Sequence, residues 1–184
     1  MSAAAQLVTS STVESRIDAK LLRATMGLFA TGVTVVTYRA DGQAAGMTAN
    51  AFMSVSLEPP LVLVSVRKAS RFNQWVEHGV RFGINFLAED QRALSAHFGG
   101  RPQDDLEVPF GEHEGTPLLE GSLVQLVARA VDVHPAGDHL LYIGELEHIR
   151  HGTQRRPLVF YSGKYQQMHA RSPMASANGC IEGW

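Results

Sequence analysis

The spacing of apolar positions changes several times along the chain. Ile17, Leu21, Leu22, Thr25, Leu28 and Phe29 recur at helical spacing behind Asp18. This predicts an opening amphipathic helix with Asp18 as N-cap and Gly32 as its end. VTVVTYRA (33–40) is a β-branched strand pattern, and Asp41-Gly42 is a hairpin turn pair. The small-residue stretch GMTANAFMSVS (46–56) follows as a strand, then SLEPP as a break and LVLVSVR (61–67) as another strand. Ser70 to His78 predicts a short helix stopped by Gly79, RFGINFLA (81–88) a strand, and EDQRALSAHF (89–98) a second short helix before Gly99-Gly100. Residues 99–121 keep no period and are rich in breakers, which predicts a long surface loop. SLVQLVARAVDVH (122–134), LLYIGELEHIR (140–150) and PLVFYSGKY (157–165) complete the strands.

Strands joined by hairpins, with helices only as short inserts, predict a mainly β (α+β) antiparallel barrel with peripheral helices rather than a doubly wound sheet. One domain is expected over 17–168, with a flexible N-terminal tail at 1–16 and a flexible C-terminal tail at 169–184.

Composition narrows the function. The 184 residues carry a formal net charge of −2 and show no basic stripe, which argues against a nucleic-acid binder. Only 18% of residues are charged and 45% are hydrophobic, leaving apolar surface for self-association. The single cysteine, Cys180, has no intrachain partner, which points to a reducing cytoplasm. The N-terminal segment lacks signal-peptide character, and no apolar run approaches the roughly 18 residues of a membrane span, so neither export nor a membrane is expected. Neither phosphate-cradling motif, G-x-G-x-x-G after a strand or G-x-x-x-x-G-K-[ST], is present. His134 with His139, or His148 with His151, lacks a third ligand at metal-site spacing, so no metal is expected.

The segment 46–56 is where chemistry is expected. Gly46, Thr48, Ala49, Asn50 and Ala51 are small enough to bring backbone groups against a flat polar ring such as an isoalloxazine. The Thr48 hydroxyl and Asn50 amide add donors and acceptors, and Met47 or Phe52 an apolar contact. The same smallness also suits a strand packed closely under a helix, and composition leaves both readings open. Arg67, Lys68 and Arg71 gather with Ser70 at a predicted helix start, an arrangement that suits an anion and equally describes a solvated basic turn.

TGVTVVT (31–37), GMTANAF (46–52), SVSLEPPLVLVSV (54–66), KASRF (68–72), INFLAEDQ (84–91), GDH (137–139) and PLVFYSGKY (157–165) occur in register over one domain. In that order they resemble the short-chain flavin reductases that serve two-component flavin-dependent monooxygenases, over residues 18 to 168. The resemblance implies an FMN-binding split β-barrel, a homodimer, FAD or FMN as the flavin, and NADH or NADPH as hydride donor. It also implies a separate monooxygenase that receives the reduced flavin. It places Gly46, Met47, Thr48, Ala49, Asn50 and Ala51 at the isoalloxazine and ribityl chain, and Ser65, Val66, Arg67, Ser70, Arg71 and Phe72 at the ribityl and phosphate region. Asn85 is placed nearby. Gly137, Asp138 and His139 are assigned to the nicotinamide side, with His139 as the catalytic candidate and Tyr161 and Tyr165 as pocket walls. Ala51 stands where the family often has Ser, which removes one hydroxyl from the flavin contacts. Two alternatives share this barrel: a tightly held flavin passing electrons onward, and a non-catalytic flavin-binding module.

Overall fold

The computed structural model describes residues 17–153 and 156–168, so the two expected tails lie outside the described residues. Helix α1 (Ala19–Met26) is capped by Asp18, whose carboxylate accepts from the Lys20 and Leu21 amides at 3.3 and 3.0 Å. It stops at Gly27 rather than at Gly32, because the chain turns there to enter β1 (Thr31–Gly32).

Strands β2 (Thr34–Ala40) and β3 (Gln43–Ala49) form the expected hairpin, with Asp41 and Gly42 both at positive φ, 50° and 76°. Strands β4 (Phe52–Leu57) and β5 (Pro60–Arg67) form a second one. After a single 3₁₀ turn at Arg71–Gln74 come β6 (Arg81–Phe86) and helix α2 (Arg92–Phe98). The helix expected over 70–78 is only that turn. Its Phe72 ring is fully buried edge-on among Tyr38, Phe82 and Tyr142, with centroids 4.9–5.8 Å apart, and this packing outweighs helical continuation.

Residues 99–121 are not wholly a surface loop. They contain a hairpin of β7 (Phe110–His113) and β8 (Thr116–Leu119), and all four β8 residues are buried. β8 lies across β2 and β6: the Thr37 hydroxyl donates to the Pro117 carbonyl at 2.5 Å, and the Leu119 amide to Asn85 Oδ1 at 2.8 Å. Gly83 leaves room for this contact, since a Cβ there would lie 2.6 Å from the Pro117 oxygen. A four-residue strand between glycine turns leaves too little alternation to read from sequence.

Two long strands, β9 (Val124–Ala136) and β10 (His139–His151), follow, then the short hairpin of β11 (Val159–Tyr161) and β12 (Lys164–Gln166). PLVFYSGKY is therefore two strands, turned at Ser162-Gly163, both at positive φ.

Seven strands make one antiparallel sheet in the order β3-β2-β6-β9-β10-β5-β4; β1, β11 and β12 form a three-stranded sheet beside it. β3 and β4 are consecutive in the chain yet sit at opposite edges of the large sheet. The sheet curls until its edges approach across Asn50-Ala51, the two residues that join them, while the Ser65 amide, donating to the Ala51 carbonyl at 3.0 Å, extends the β4–β5 ladder by one residue. Between β3 and β4 no ladder forms, so the barrel is split there.

Apolar side chains pack on both faces of the sheet. Val36, Val64, Val66, Phe82 and Ile84 fill the barrel, whereas Val33, Val35, Leu87, Leu94, Leu119 and Leu158 form a second cluster outside it. Burial on both faces explains the near-continuous apolar run of β2.

Candidate functional site

The split holds a cleft of ≈ 330 Å³. Met47, Thr48, Ala49, Asn50 and Ala51, where the chain crosses from one edge strand to the other, form one wall. Ser65, Val66 and Arg67 at the end of β5, with Ser70, form the next, and His139 at the start of β10 closes it. Arg67 and His139 are direct cross-strand partners, so the ladder between β5 and β10 holds cation and imidazole side by side. Gly137, at φ 59°, makes the turn that starts β10. Asp138 Oδ1 accepts from His139 Nδ1 at 2.8 Å. That hydrogen bond, followed by the charge of the same ring, holds the Asp138 carboxyl below its ordinary range, so the side chain that orients the imidazole stays ionised near neutrality.

A larger lobe of ≈ 520 Å³ adjoins the cleft and shares Thr48, Asn50 and Arg67 with it. Its far wall is Ser95, Ala96 and Gly99 of the α2 region with Arg101, and Phe160, Gly163 and Tyr165 of the β11–β12 hairpin. The Thr48 hydroxyl donates to the Ser95 carbonyl at 2.8 Å, and the Ser95 and Tyr165 hydroxyls lie 2.9 Å apart, which ties β3, α2 and β12 together. Both volumes suit a small-molecule ligand, for which clefts of ~300–1,000 Å³ are usual.

Charge is consistent with the same place. Arg39, Arg81, Arg129, Arg150 and Arg156 each face a glutamate within 3.0 Å. Among the described residues, Arg67 and Arg101 on the cleft walls, and Lys68 and Arg71 beside them, form no such pair. Cations left without acidic partners around a cleft suit an anionic ligand such as a phosphate. Backbone-rich walls, the Thr48 and Ser70 hydroxyls, the Asn50 amide and these cations together fit a flavin, which needs a polar ring edge matched and a phosphate neutralised.

The structure gathers most of the residues expected here and separates others. Gly46 lines neither lobe: it lies under α2, where a Cβ would sit 3.0 Å from two Phe98 ring carbons and 3.1 Å from Val35 Cγ1. The small-residue stretch therefore serves both purposes, helix packing at Gly46 and cleft wall from Met47 to Ala51. Phe72 is core, for the reason given above. Asn85 is also core: it is fully buried, with its Nδ2 donating to the Val35 carbonyl and the Thr37 hydroxyl and its Oδ1 bonded to Leu119, so its amide faces β2 and β8 instead of the cleft. Arg71 is exposed beside the cleft, and Tyr161 lies outside both linings while Tyr165 is within one. Sequence reasoning missed Ser95, Ala96, Gly99 and Arg101. The one available signal was a cation directly after a Gly-Gly helix end.

Comparison with known proteins agrees with this geometry. A family model described as a flavin reductase like domain matches residues 26–169. The chain is 40% identical over 163 residues to an NADH-dependent flavin reductase of Rhodococcus sp, covering 87% of this chain and 92% of that relative. The solved structure of the flavin reductase PheA2 in its native state is similar with a TM-score of 0.76 at 43% identity, covering 83% of this chain and 99% of that one. The NADH:FAD oxidoreductase SgcE6 of Streptomyces globisporus C-1027, solved in complex with NAD and FAD fragments, gives a TM-score of 0.75 at 32% identity over 86% and 96% of the two chains. With a split barrel, a polar cleft at the split and a family model spanning most of its length, the chain belongs to the flavin reductase-like family.

Proposed function

We propose that this protein is an NAD(P)H:flavin oxidoreductase that reduces FAD or FMN and releases it to a separate monooxygenase. The observation that carries the reading is the cleft at the barrel split, where an unladdered edge, unpaired cations and a carboxylate-oriented imidazole converge. The names of the relatives, NADH-dependent flavin reductases and a reductase component of 4-hydroxyphenylacetate 3-monooxygenase among them, support it.

A flavin bound in the cleft supplies the two-electron acceptor for hydride from a nicotinamide. Backbone groups from Met47 to Ala51 match the polar ring edge, and the Asn50 amide adds a donor and an acceptor. Arg67 and Ser70, with Arg71 nearby, bind the phosphate end. His139, held by ionised Asp138, packs against the nicotinamide and positions it; hydride transfer asks for close, oriented rings and no base at carbon. The lobe bounded by Arg101 and Tyr165 takes the remaining nucleotide portion.

A homodimer belongs to the same reading. On the edge strand β4, Met53, Val55 and Leu57 point outward with 55%, 47% and 68% of their surface exposed, and Leu21, Leu22 and Met26 of α1 are exposed as well. An uncovered apolar edge strand invites pairing, and a second copy covers it.

The test is a spectrophotometric matrix of NADH and NADPH against FAD, FMN and riboflavin. Steady nicotinamide oxidation that depends on added free flavin supports the proposal. Absence of turnover with every pair, or colour that survives dialysis and exhausts after one turnover, refutes it.

A further inference from the structure

The peptide unit joining Arg67 to Lys68 is clamped on both sides. Its N–H donates to the Asp138 carbonyl at 3.0 Å, in the turn that presents His139. Its carbonyl accepts from Asn73 Nδ2 at 2.8 Å and from the Ser70 amide at 2.9 Å. The Lys68 carbonyl also accepts from Asn73 Nδ2, at 3.0 Å. Asn73 Oδ1 in turn accepts from the Tyr142 hydroxyl at 3.0 Å, and Tyr142 is buried in the barrel beside Phe72. The Asn73 amide thus ties the 67–70 loop to the barrel core, and the Lys68 N–H ties the same loop to the His139 turn.

From this arrangement we infer that Asn73, anchored by Tyr142, is a positioning residue that shapes the 67–70 loop into an anion receptor and sets it against His139. In a trans peptide the N–H points opposite to the carbonyl. Drawing the Lys68 carbonyl onto Asn73 therefore turns the Ala69 N–H away from the core, and among the described residues that N–H has no backbone acceptor. The Ala69 N–H, next in the chain to the cleft-lining Ser70, joins the Arg67 guanidinium and the Ser70 hydroxyl, which exchanges its 3.4 Å contact to Met47 Sδ for the ligand, as the donor set for a phosphate monoester or diester. Asn73 touches no ligand; it acts through the loop. The inference rests on the flavin reductase reading above.

The experiment compares affinities for FMN and for riboflavin, which lacks the phosphate, in the wild-type protein and in Asn73→Ala, Asn73→Asp and Tyr142→Phe. Fluorescence quenching gives the two dissociation constants, and thermal unfolding of the flavin-free protein gives the midpoint. In the wild type FMN binds more tightly than riboflavin; if neither binds, the functional reading itself falls. Asn73→Ala weakens FMN about 10-fold and riboflavin less than about 2-fold, the loss expected when two hydrogen bonds fixing the loop disappear. Asn73→Asp is at least as damaging, because a carboxylate then faces two carbonyls. Tyr142→Phe keeps the ring packing and gives a smaller loss of the same selectivity, so it reports on the loop even if Asn73→Ala folds poorly. An unchanged FMN-to-riboflavin ratio in folded Asn73→Ala or in Tyr142→Phe overturns the inference, whether or not the midpoint falls.

Discussion

Gly46→Ala separates the two purposes of the small-residue stretch. The added methyl would sit 3.0 Å from Phe98 Cδ1 and Cε1 and 3.1 Å from Val35 Cγ1, closer than ordinary van der Waals contact by several tenths of an ångström. Val35 is fully buried and cannot withdraw, so α2 must shift or Phe98 must leave its rotamer. Overpacking of this kind costs ~1–3 kcal/mol. For a domain of this size that lowers the thermal midpoint by roughly 2–4 °C per kcal/mol. Gly46 does not line the cleft, so the FMN dissociation constant should change less than about 2-fold. Ala49→Val is the counterpart: Ala49 lines the cleft, and a branched side chain there should weaken FMN by the ~1–3 kcal/mol of overpacking while the flavin-free midpoint changes less. Differential scanning fluorimetry of the flavin-free proteins and fluorescence titration with FMN measure both quantities. The assignment is refuted if Gly46→Ala weakens FMN 5-fold or more at an unchanged midpoint. Adding Phe98→Leu should recover part of the stability lost by Gly46→Ala, a coupling that a double-mutant cycle reads directly.

Three further outcomes are expected. His139→Ala should slow flavin reduction and raise the nicotinamide KM with little change in flavin affinity; stopped-flow reduction and equilibrium titration check this, and lost flavin binding with a normal KM would reverse the assignment of sides. His148 stacks on His113 with ring centroids 3.7 Å apart, and desolvation first, then the His113 and Arg150 charges, lower its pKa. The unfolded chain therefore takes up this proton at higher pH than the folded one, so stability present above the unfolded pKa of ~6.5 is lost as pH falls through the lowered folded value. Midpoints measured from pH 8 to 5 should show this loss, and His148→Gln should flatten it. Leu57→Glu should convert a dimer to a monomer in sedimentation; an active wild-type monomer at assay concentration would remove the proposed role of β4.

Much of the architecture was legible because it is local. Asp18 caps α1 through its own neighbours, Asp41-Gly42 supplies the two positive φ values of a hairpin turn, and the strand periods of 33–40, 61–67, 122–134 and 140–150 follow from alternation or continuous burial. The stretch 46–56 was marked by composition alone. What composition could not supply was its division, because whether a small residue faces a helix or a cleft depends on which segment arrives from elsewhere in the chain. Phe98, some fifty residues on, decided that Gly46 is packing. The same holds for Asn85 and Phe72, whose motif positions suggested a flavin contact but whose side chains are claimed by β8 and by the barrel rings. Arg101 and Tyr165 reach the site only because α2 docks on β3 and the β11–β12 hairpin meets α2, and Asn73 matters only because Tyr142, on a strand sixty-nine positions later, meets it. Local pattern determined which segments are strands and where small polar residues replace core ones; the curl of the seven-stranded sheet, which brings its first and last strands together at Asn50-Ala51, decided that a cleft exists there, since closure depends on long-range pairing that no short window of sequence contains.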